Sequence, residues 1–279
     1  MSLYTVFGGK GFIGSEFVHQ LKNKGHEVCL PERGDESIFE KNLGIVIYCA
    51  GYGDCQKNPF NVLNANTLLL SELLRKSTFK KMVYISSSRV YMNQNGSKES
   101  DDLTVCSNDN RRLFNLTKLV SEEMCLKSQR DCLIIRPSNV YGLALNSPLF
   151  LPAITRNAIN NGVVDMYVNR DYSKDYISVH DLVNTTLSLI DINEKNTTII
   201  NLASGENVSA EQIAKVLIEE TGCSVNWHIV NNNEKFPITN IDEVKSKFNF
   251  KPRSVLLDLR DMIENYKIHL DKTVTQEVN

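Results

Sequence analysis

Short apolar runs alternate with amphipathic stretches along the first half of this 279-residue chain. Segments 3–7, 27–31, 44–49, 81–86 and 132–136 are rich in apolar and β-branched residues and predict strands. Between most of them, positions 13–23, 61–76 and 113–129 repeat apolar residues at helical spacing. Alternation of this kind predicts a parallel sheet with helices on both faces and a ligand crevice at the carboxyl ends of the strands. Only residues 32–43 separate the second and third strands, which leaves room for a short helix at most, so one crossover is expected to be abbreviated. Beyond Gly142 the pattern turns irregular, with Pro148 and Pro152 and a Tyr-rich segment at 167–177. Helices at 151–161, 209–221 and 254–269 and strands at 197–202 and near 225–230 predict a smaller C-terminal α/β lobe.

Composition narrows the class. With 42% hydrophobic residues and a net charge of −2, the chain can bury a sizeable core and carries no long-range field for nucleic acid or an anionic membrane. The seven cysteines are odd in number and lack CxxC spacing, so reduced thiols are expected. The histidines show no metal-ligand spacing, so no metal is expected. No charged leader precedes the first strand and no apolar stretch reaches the length of a membrane span, which makes the cytoplasm the expected location.

The first strand, Leu3 to Phe7, runs into glycines at positions 8, 11 and 14. Glycine at Gly8 allows a tight turn, at Gly11 a close approach to a pyrophosphate, and at Gly14 close packing of the following helix. The helix that begins near Phe12 and Ile13 points its amides at the anion. This looks like the phosphate grip of a dinucleotide-binding, Rossmann-type doubly wound sheet, although glycine-rich turns also serve plain loops. The expected division is such a domain over 1–142, with return strands near 175–202, and a substrate-binding lobe from 143–174 and 203–279.

Further segments occur in a fixed order. Gly8-Gly9-Lys10-Gly11-Phe12-Ile13-Gly14 is followed by Tyr48-Cys49-Ala50-Gly51, by Asn64 through Thr67, and by Tyr84-Ile85-Ser86-Ser87-Ser88-Arg89-Val90-Tyr91. Then come Arg136-Pro137-Ser138-Asn139-Val140-Tyr141-Gly142 and Asp175-Tyr176-Ile177-Ser178-Val179-His180-Asp181. In this order they resemble the extended short-chain dehydrogenase/reductases, the NAD-dependent epimerase/dehydratase group that acts on nucleotide-linked sugars. The resemblance implies NAD as cofactor, held by Gly8, Gly11, Phe12, Ile13, Gly14, Glu32, Arg33, Cys49, Ala50, Gly51, Asn64, Lys118 and Ser138. An acid at Glu32 suits the adenosine ribose hydroxyls and repels a 2′-phosphate, whereas Arg33 can pair with one, so NADP stays possible. A nucleotide sugar is the implied substrate, touched by Ser87, Ser88, Arg89 and Asn139. Asp175, Asp181 and His180 read as mainly structural, and Lys174 stands where an arginine is more usual.

Catalysis in the resembled family rests on a Ser or Thr and a Tyr-x-x-x-Lys pair on one helical face, where the lysine lowers the phenol pKa and binds the nicotinamide ribose. Here Ser87 and Lys118 match, but the phenol position holds Phe114, which cannot carry a proton. Three explanations stand at this stage: a tyrosine altered to phenylalanine, divergence with proton transfer reassigned to Tyr91, Ser87, Lys118 or water, or a cofactor-binding protein that has lost catalysis. The family's dehydratases carry Asp-Glu where this chain has Ser88-Arg89, and its fucose-synthase-like members carry cysteine at the Arg89 position. The resemblance therefore points to a C4 epimerase or a 4-keto-sugar reductase, with a non-catalytic sensor or scaffold as the alternative. It also implies a homodimer through helices 61–76 and 113–129, with Leu68, Leu69, Leu73, Leu116, Leu119 and Val120 as candidate interface residues.

Overall fold

The computed structural model describes residues 1–144, 147, 149–192, 197–230 and 234–277, with side chains as far as His269. Its first half contains β1 (Leu3–Phe7), α1 (Phe12–Asn23), β2 (Glu27–Cys29), β3 (Ile45–Tyr48), α2 (Pro59–Leu63), α3 (Leu69–Lys76), β4 (Lys81–Ile85), α4 (Arg112–Lys127) and β5 (Cys132–Pro137). Then follow β6 (Asn139–Tyr141), α5 (Phe150–Asn161), β7 (Val163–Met166), β8 (Ser173–Ser178), α6 (Val179–Asp191), β9 (Thr198–Leu202) and β10 (Asn207–Ser209). The chain closes with α7 (Ala210–Thr221), β11 (Ser224–Trp227), α8 (Asp242–Lys247) and α9 (Val255–Glu277).

The main sheet has six strands in the order β2-β1-β3-β4-β5-β9, all parallel. This is the Rossmann-type sheet expected from the alternation. Tyr4, Val6, Ile45, Ile47, Val83, Ile85, Leu133 and Ile135 project to one face and pack with Phe17 and Leu21 of α1 and Leu182, Val183 and Leu187 of α6. Phe7, Val46, Tyr48, Met82, Tyr84, Cys132 and Ile134 project to the other and pack with Leu70, Leu73 and Leu74 of α3 and Cys125 of α4. Period-two alternation with apolar residues at both phases is what two covered faces require.

β2 ends at Cys29, two residues short of the expected 27–31 strand; Pro31, which lacks an N–H, follows immediately beyond Leu30. A single 3-10 turn, Glu36–Phe39, crosses to β3, so the crossover is abbreviated as expected. The 61–76 helix is interrupted by a π turn at Asn64–Leu68. The Tyr48 hydroxyl donates to the Ala65 carbonyl at 2.6 Å and the Ser121 hydroxyl to the Asn66 carbonyl at 2.8 Å, so side chains satisfy carbonyls in that wider turn. α6 is absent from the sequence expectation, which treated 175–202 as returning strands; of that region β9 joins the main sheet. β8 pairs instead with β10 and β6 in a second, three-stranded sheet, while β7 and β11 form a parallel pair. The lobe has its own core of Tyr141, Leu151, Ile154, Met166, Ile213, Leu217, Leu259 and Ile263. No described helix is long and apolar enough to cross a membrane.

Candidate functional site

The glycine turn lies at the carboxyl end of β1. Gly8 has φ +76°, and a Cβ there would lie 2.8 Å from the Cys49–Ala50 backbone at the end of β3. A Cβ on Gly14 would run into the Gly8 carbonyl oxygen, which already accepts the Gly11 amide at 2.9 Å. The turn therefore tolerates no side chain at Gly8 or Gly14. α1 starts with no side-chain cap and no acidic residue in its first turn, which leaves its amides and positive dipole end open to an anion. Phe12 sits against Gly142, whose Cβ would come within 3.1 Å of the ring.

Across the end of the sheet from this turn, α4 delivers Phe114 and Lys118 one turn apart. The buried Lys118 ammonium donates to the Ile85 carbonyl at 2.9 Å and lies 5.0 Å from the Tyr84 ring centre and 5.6 Å from that of Phe114. Burial drives its pKa down to about 8, against the opposing pull of Glu122 and Cys49. A Cβ on Gly51 would lie 3.6 Å from this nitrogen and 3.4 Å from Asn66 Oδ1. Asn66 is itself fixed by the Tyr52 amide, the Tyr52 carbonyl and Thr117. Asn64, the expected cofactor contact, is instead exposed; within the π turn it is Asn66 that points inward and is fully buried. Burial pushes the Cys49 thiol up to about 12, so it stays neutral beside Lys118. Ser87, after β4, accepts the Arg89 amide on its hydroxyl oxygen at 3.1 Å and keeps its proton for another acceptor.

A buried ionic network braces this arrangement. Arg136 donates to both Glu122 carboxylate oxygens, at 3.0 and 2.6 Å, and to the Tyr91 hydroxyl at 2.6 Å. Ser86 donates to Glu122 and Tyr91 to Asn201. Burial, the largest influence, raises the Tyr91 pKa even against Arg136, and the ring is 1% exposed. Tyr91 therefore cannot serve as the replacement acid considered from the sequence: its oxygen is committed to Arg136 and Asn201.

Opposite Phe114 the second sheet brings its own residues. Asn139 donates to the Asp175 carbonyl at 2.8 Å, and Ser138 beside it is buried. Asp175 accepts the Ser204 and Gly205 amides, and Asp181 accepts the Arg253 amide, consistent with their reading as structural. His180 pairs with Gln20 at 3.3 Å. Arg89, adjacent to Ser88, is 8% exposed and ion-paired to Asp109 at 2.7 Å and Glu234 at 2.8 Å. Burial alone would loosen its proton, but Glu234 and Asp109 more than reverse this. Arg89, expected as a substrate contact, is thus held in an interior ion-pair network, and neither partner stood out from sequence because they lie 20 and 145 residues away. Lys174 sits between Tyr172 and Phe236, 4.9 and 5.0 Å from their ring centres, and burial lowers its pKa to about 8. Arg111, which the sequence reading passed over, lays its guanidinium 4.6 Å over the Phe114 ring.

The remaining expected residues are dispersed. Glu32 and Arg33 are exposed in the turn after β2. Among the candidate interface leucines, Leu73 belongs to the core at 0% exposure, while Leu68 and Leu116, with Val120, stand 47, 38 and 49% exposed. Phe60, Leu63 and Met124 join them on the outer surface of the helices.

A family model described as the NAD dependent epimerase/dehydratase family matches residues 4–203. A GDP-6-deoxy-D-talose 4-dehydrogenase of Aggregatibacter actinomycetemcomitans is 26% identical over 253 residues, covering 83% of this chain and 83% of its own. A dTDP-4-dehydro-6-deoxy-D-allose reductase of a Streptomyces species is 23% identical over 264 residues, covering 78% and 80%. In structure, the chain is similar to MoeE5 in complex with UDP-glucose and NAD, with a TM-score of 0.83 at 20% identity over 96% of this chain and 99% of that one. By sequence and by fold, this chain belongs to the NAD dependent epimerase/dehydratase family.

Proposed function

We propose that the cleft between the glycine turn and the second sheet binds NAD and a nucleotide sugar, and that the chain transfers hydride at the sugar C4. The observation that carries this reading is the convergence of three parts at one end of the sheet. They are a turn with no room for side chains at Gly8 and Gly14, a strand end whose Gly51 faces the Lys118 ammonium, and Ser87 on the neighbouring strand end. The dehydrogenase and the reductase among the relatives are named for chemistry at position 4 of a nucleotide sugar, which supports the same assignment here. Gly8, Gly11, Phe12, Ile13, Gly14, Ala50, Gly51 and Ser138 are the proposed cofactor contacts, with Glu32 and Arg33 at the adenosine end. When bound, NAD supplies a hydride acceptor or donor. Ser87 donates a hydrogen bond to the sugar oxygen, and Ser88 and Asn139 border the sugar nucleotide. Lys118, with a pKa of about 8, holds a proton that it can exchange near neutral pH, in place of the phenol.

Mass spectrometry of small molecules released on denaturing the purified protein tests this. Bound NAD with a sugar nucleotide, or binding of both on titration, is the expected result. A second reading has a specific observation in its favour: Phe114 places no proton-carrying atom where the family's acid–base group stands. On that reading the protein binds dinucleotide without processing a sugar. Dinucleotide binding with no response to any sugar nucleotide would favour it. The exposed apolar face of α2–α4 is the proposed homodimer surface, formed by Leu68, Leu116, Val120, Phe60 and Met124.

A further inference from the structure

We infer that Arg111 is a specificity-determining side chain that selects a nucleotide sugar bearing a carboxylate on its sugar ring. The inference rests on the reading of this cleft as a nucleotide-sugar site. Phe114 stands where the acid–base group of the family meets the C4 oxygen, so a guanidinium 4.6 Å over its ring borders the sugar. Above the ring, its N–H groups are left open to a ligand.

The two carboxylates that could neutralise Arg111 are engaged elsewhere. Asp109 accepts Arg89 and the Arg111 backbone amide on Oδ1 and Asn115 on Oδ2. Glu234 accepts Arg89 on Oε1 and the Tyr172 hydroxyl on Oε2. Among the described residues the Arg111 guanidinium makes no hydrogen bond or ion pair. Three cations, Arg89, Arg111 and Lys174, thus share Asp109 and Glu234. Desolvation and then the like charge of Arg89 lower the Arg111 pKa, against the pull of Asp109 and Glu234, while the side chain keeps its contact with water.

The sequence position argues the same way. Arg111 precedes α4 and Arg112 opens it, with no acidic residue in the first turn. A cation at the positive end of a helix dipole is unfavourable, so local helix stability does not account for an arginine there. A planar guanidinium is matched in geometry by a carboxylate, which it can bind with two parallel hydrogen bonds.

Calorimetric titration of the protein with NAD tests the inference, using UDP-glucuronic acid against UDP-glucose and GDP-mannuronic acid against GDP-mannose. The expected result is that in at least one pair the acid binds about tenfold or more tightly, as a charge-assisted bidentate contact would give. Arg111→Gln should erase that difference between acid and neutral partner. Equal binding of acid and neutral partner, or a preference that survives Arg111→Gln, would overturn the inference and leave the nucleotide-sugar reading standing. Binding of none of the four would overturn the inference, and release of no sugar nucleotide on denaturation together with no response to UDP-, GDP- or dTDP-sugars would overturn the reading beneath it.

Discussion

The Lys118 ammonium and the Phe114 ring face one another at 5.6 Å from one turn to the next of α4. The lysine is in the position that would tune a phenol, and the residue it faces has none. Restoring the oxygen with Phe114→Tyr should raise turnover on a verified sugar nucleotide by at least tenfold, because a positioned acid–base group contributes roughly 10²–10⁴. Steady-state rates of the two proteins decide it; equal rates would remove position 114 from the chemistry.

Lys118 also makes the stability of the protein depend on pH. Its folded pKa of about 8 lies below the ordinary lysine value of 10.5. Between those two values the unfolded chain binds more protons at this site, so the site's contribution to stability rises with pH. Relative to Lys118→Met, the wild type should therefore be least favoured below pH 8 and gain steadily up to about pH 10.5. Urea midpoints of both proteins across that range would show it; a difference independent of pH would mean that the ammonium is not desolvated.

Gly14→Ala should weaken dinucleotide binding by about tenfold or more and lower Tm, because the added methyl meets the Gly8 carbonyl and must push the turn open. Fluorescence titration with NADH, alongside thermal unfolding, separates the two effects. An unchanged affinity would place the cofactor elsewhere.

The braced pair below the site carries a different expectation. Glu122→Leu leaves the Arg136 guanidinium buried without its carboxylate and should cost roughly 3–5 kcal/mol of stability. Equilibrium denaturation checks this, and a loss under about 1 kcal/mol would mean that water reaches Arg136.

Val120→Arg with Leu116→Arg places charges on the exposed face of α4 while leaving the buried face untouched. Sedimentation should show a dimer giving way to a monomer. A wild-type monomer at micromolar concentration would refute the proposed interface.

The sheet was legible because β1, β3, β4 and β5 are apolar on both faces, and such runs stand out whatever surrounds them. The placement of Lys118 on a helix and of Ser87 at the end of a strand was legible because local spacing carries it. α6 was not: its centre, Asn184-Thr185-Thr186, weakens the helical signal, yet Leu182, Val183, Leu187 and Ile190 bury one stripe against the sheet. The short strands β6, β7 and β10 owe their pairing to partners far along the chain, so nothing local announces them, and β8 was expected as a strand but not in a separate sheet. The same limit hid Asp109, Glu234 and Asn66, whose roles follow from what lies across the cleft.

The stretch from Glu234 to Asn240 runs as a cross-tie between β4's loop and the second sheet. Glu234 links Arg89 to Tyr172, Lys235 exchanges two hydrogen bonds of 2.7 Å with Asn93, and Phe236 offers its carbonyl to Asn207. Asn240 then bonds Ser97 and Asn201. Through Arg89 and Asn93 on one side and Tyr172 and Asn207 on the other, the tie locks the two halves of the molecule at a fixed spacing. The spacing of these two walls is accordingly built in at folding: a ligand too large for the gap would have to unfasten the half-buried Arg89–Glu234 ion pair to be accommodated.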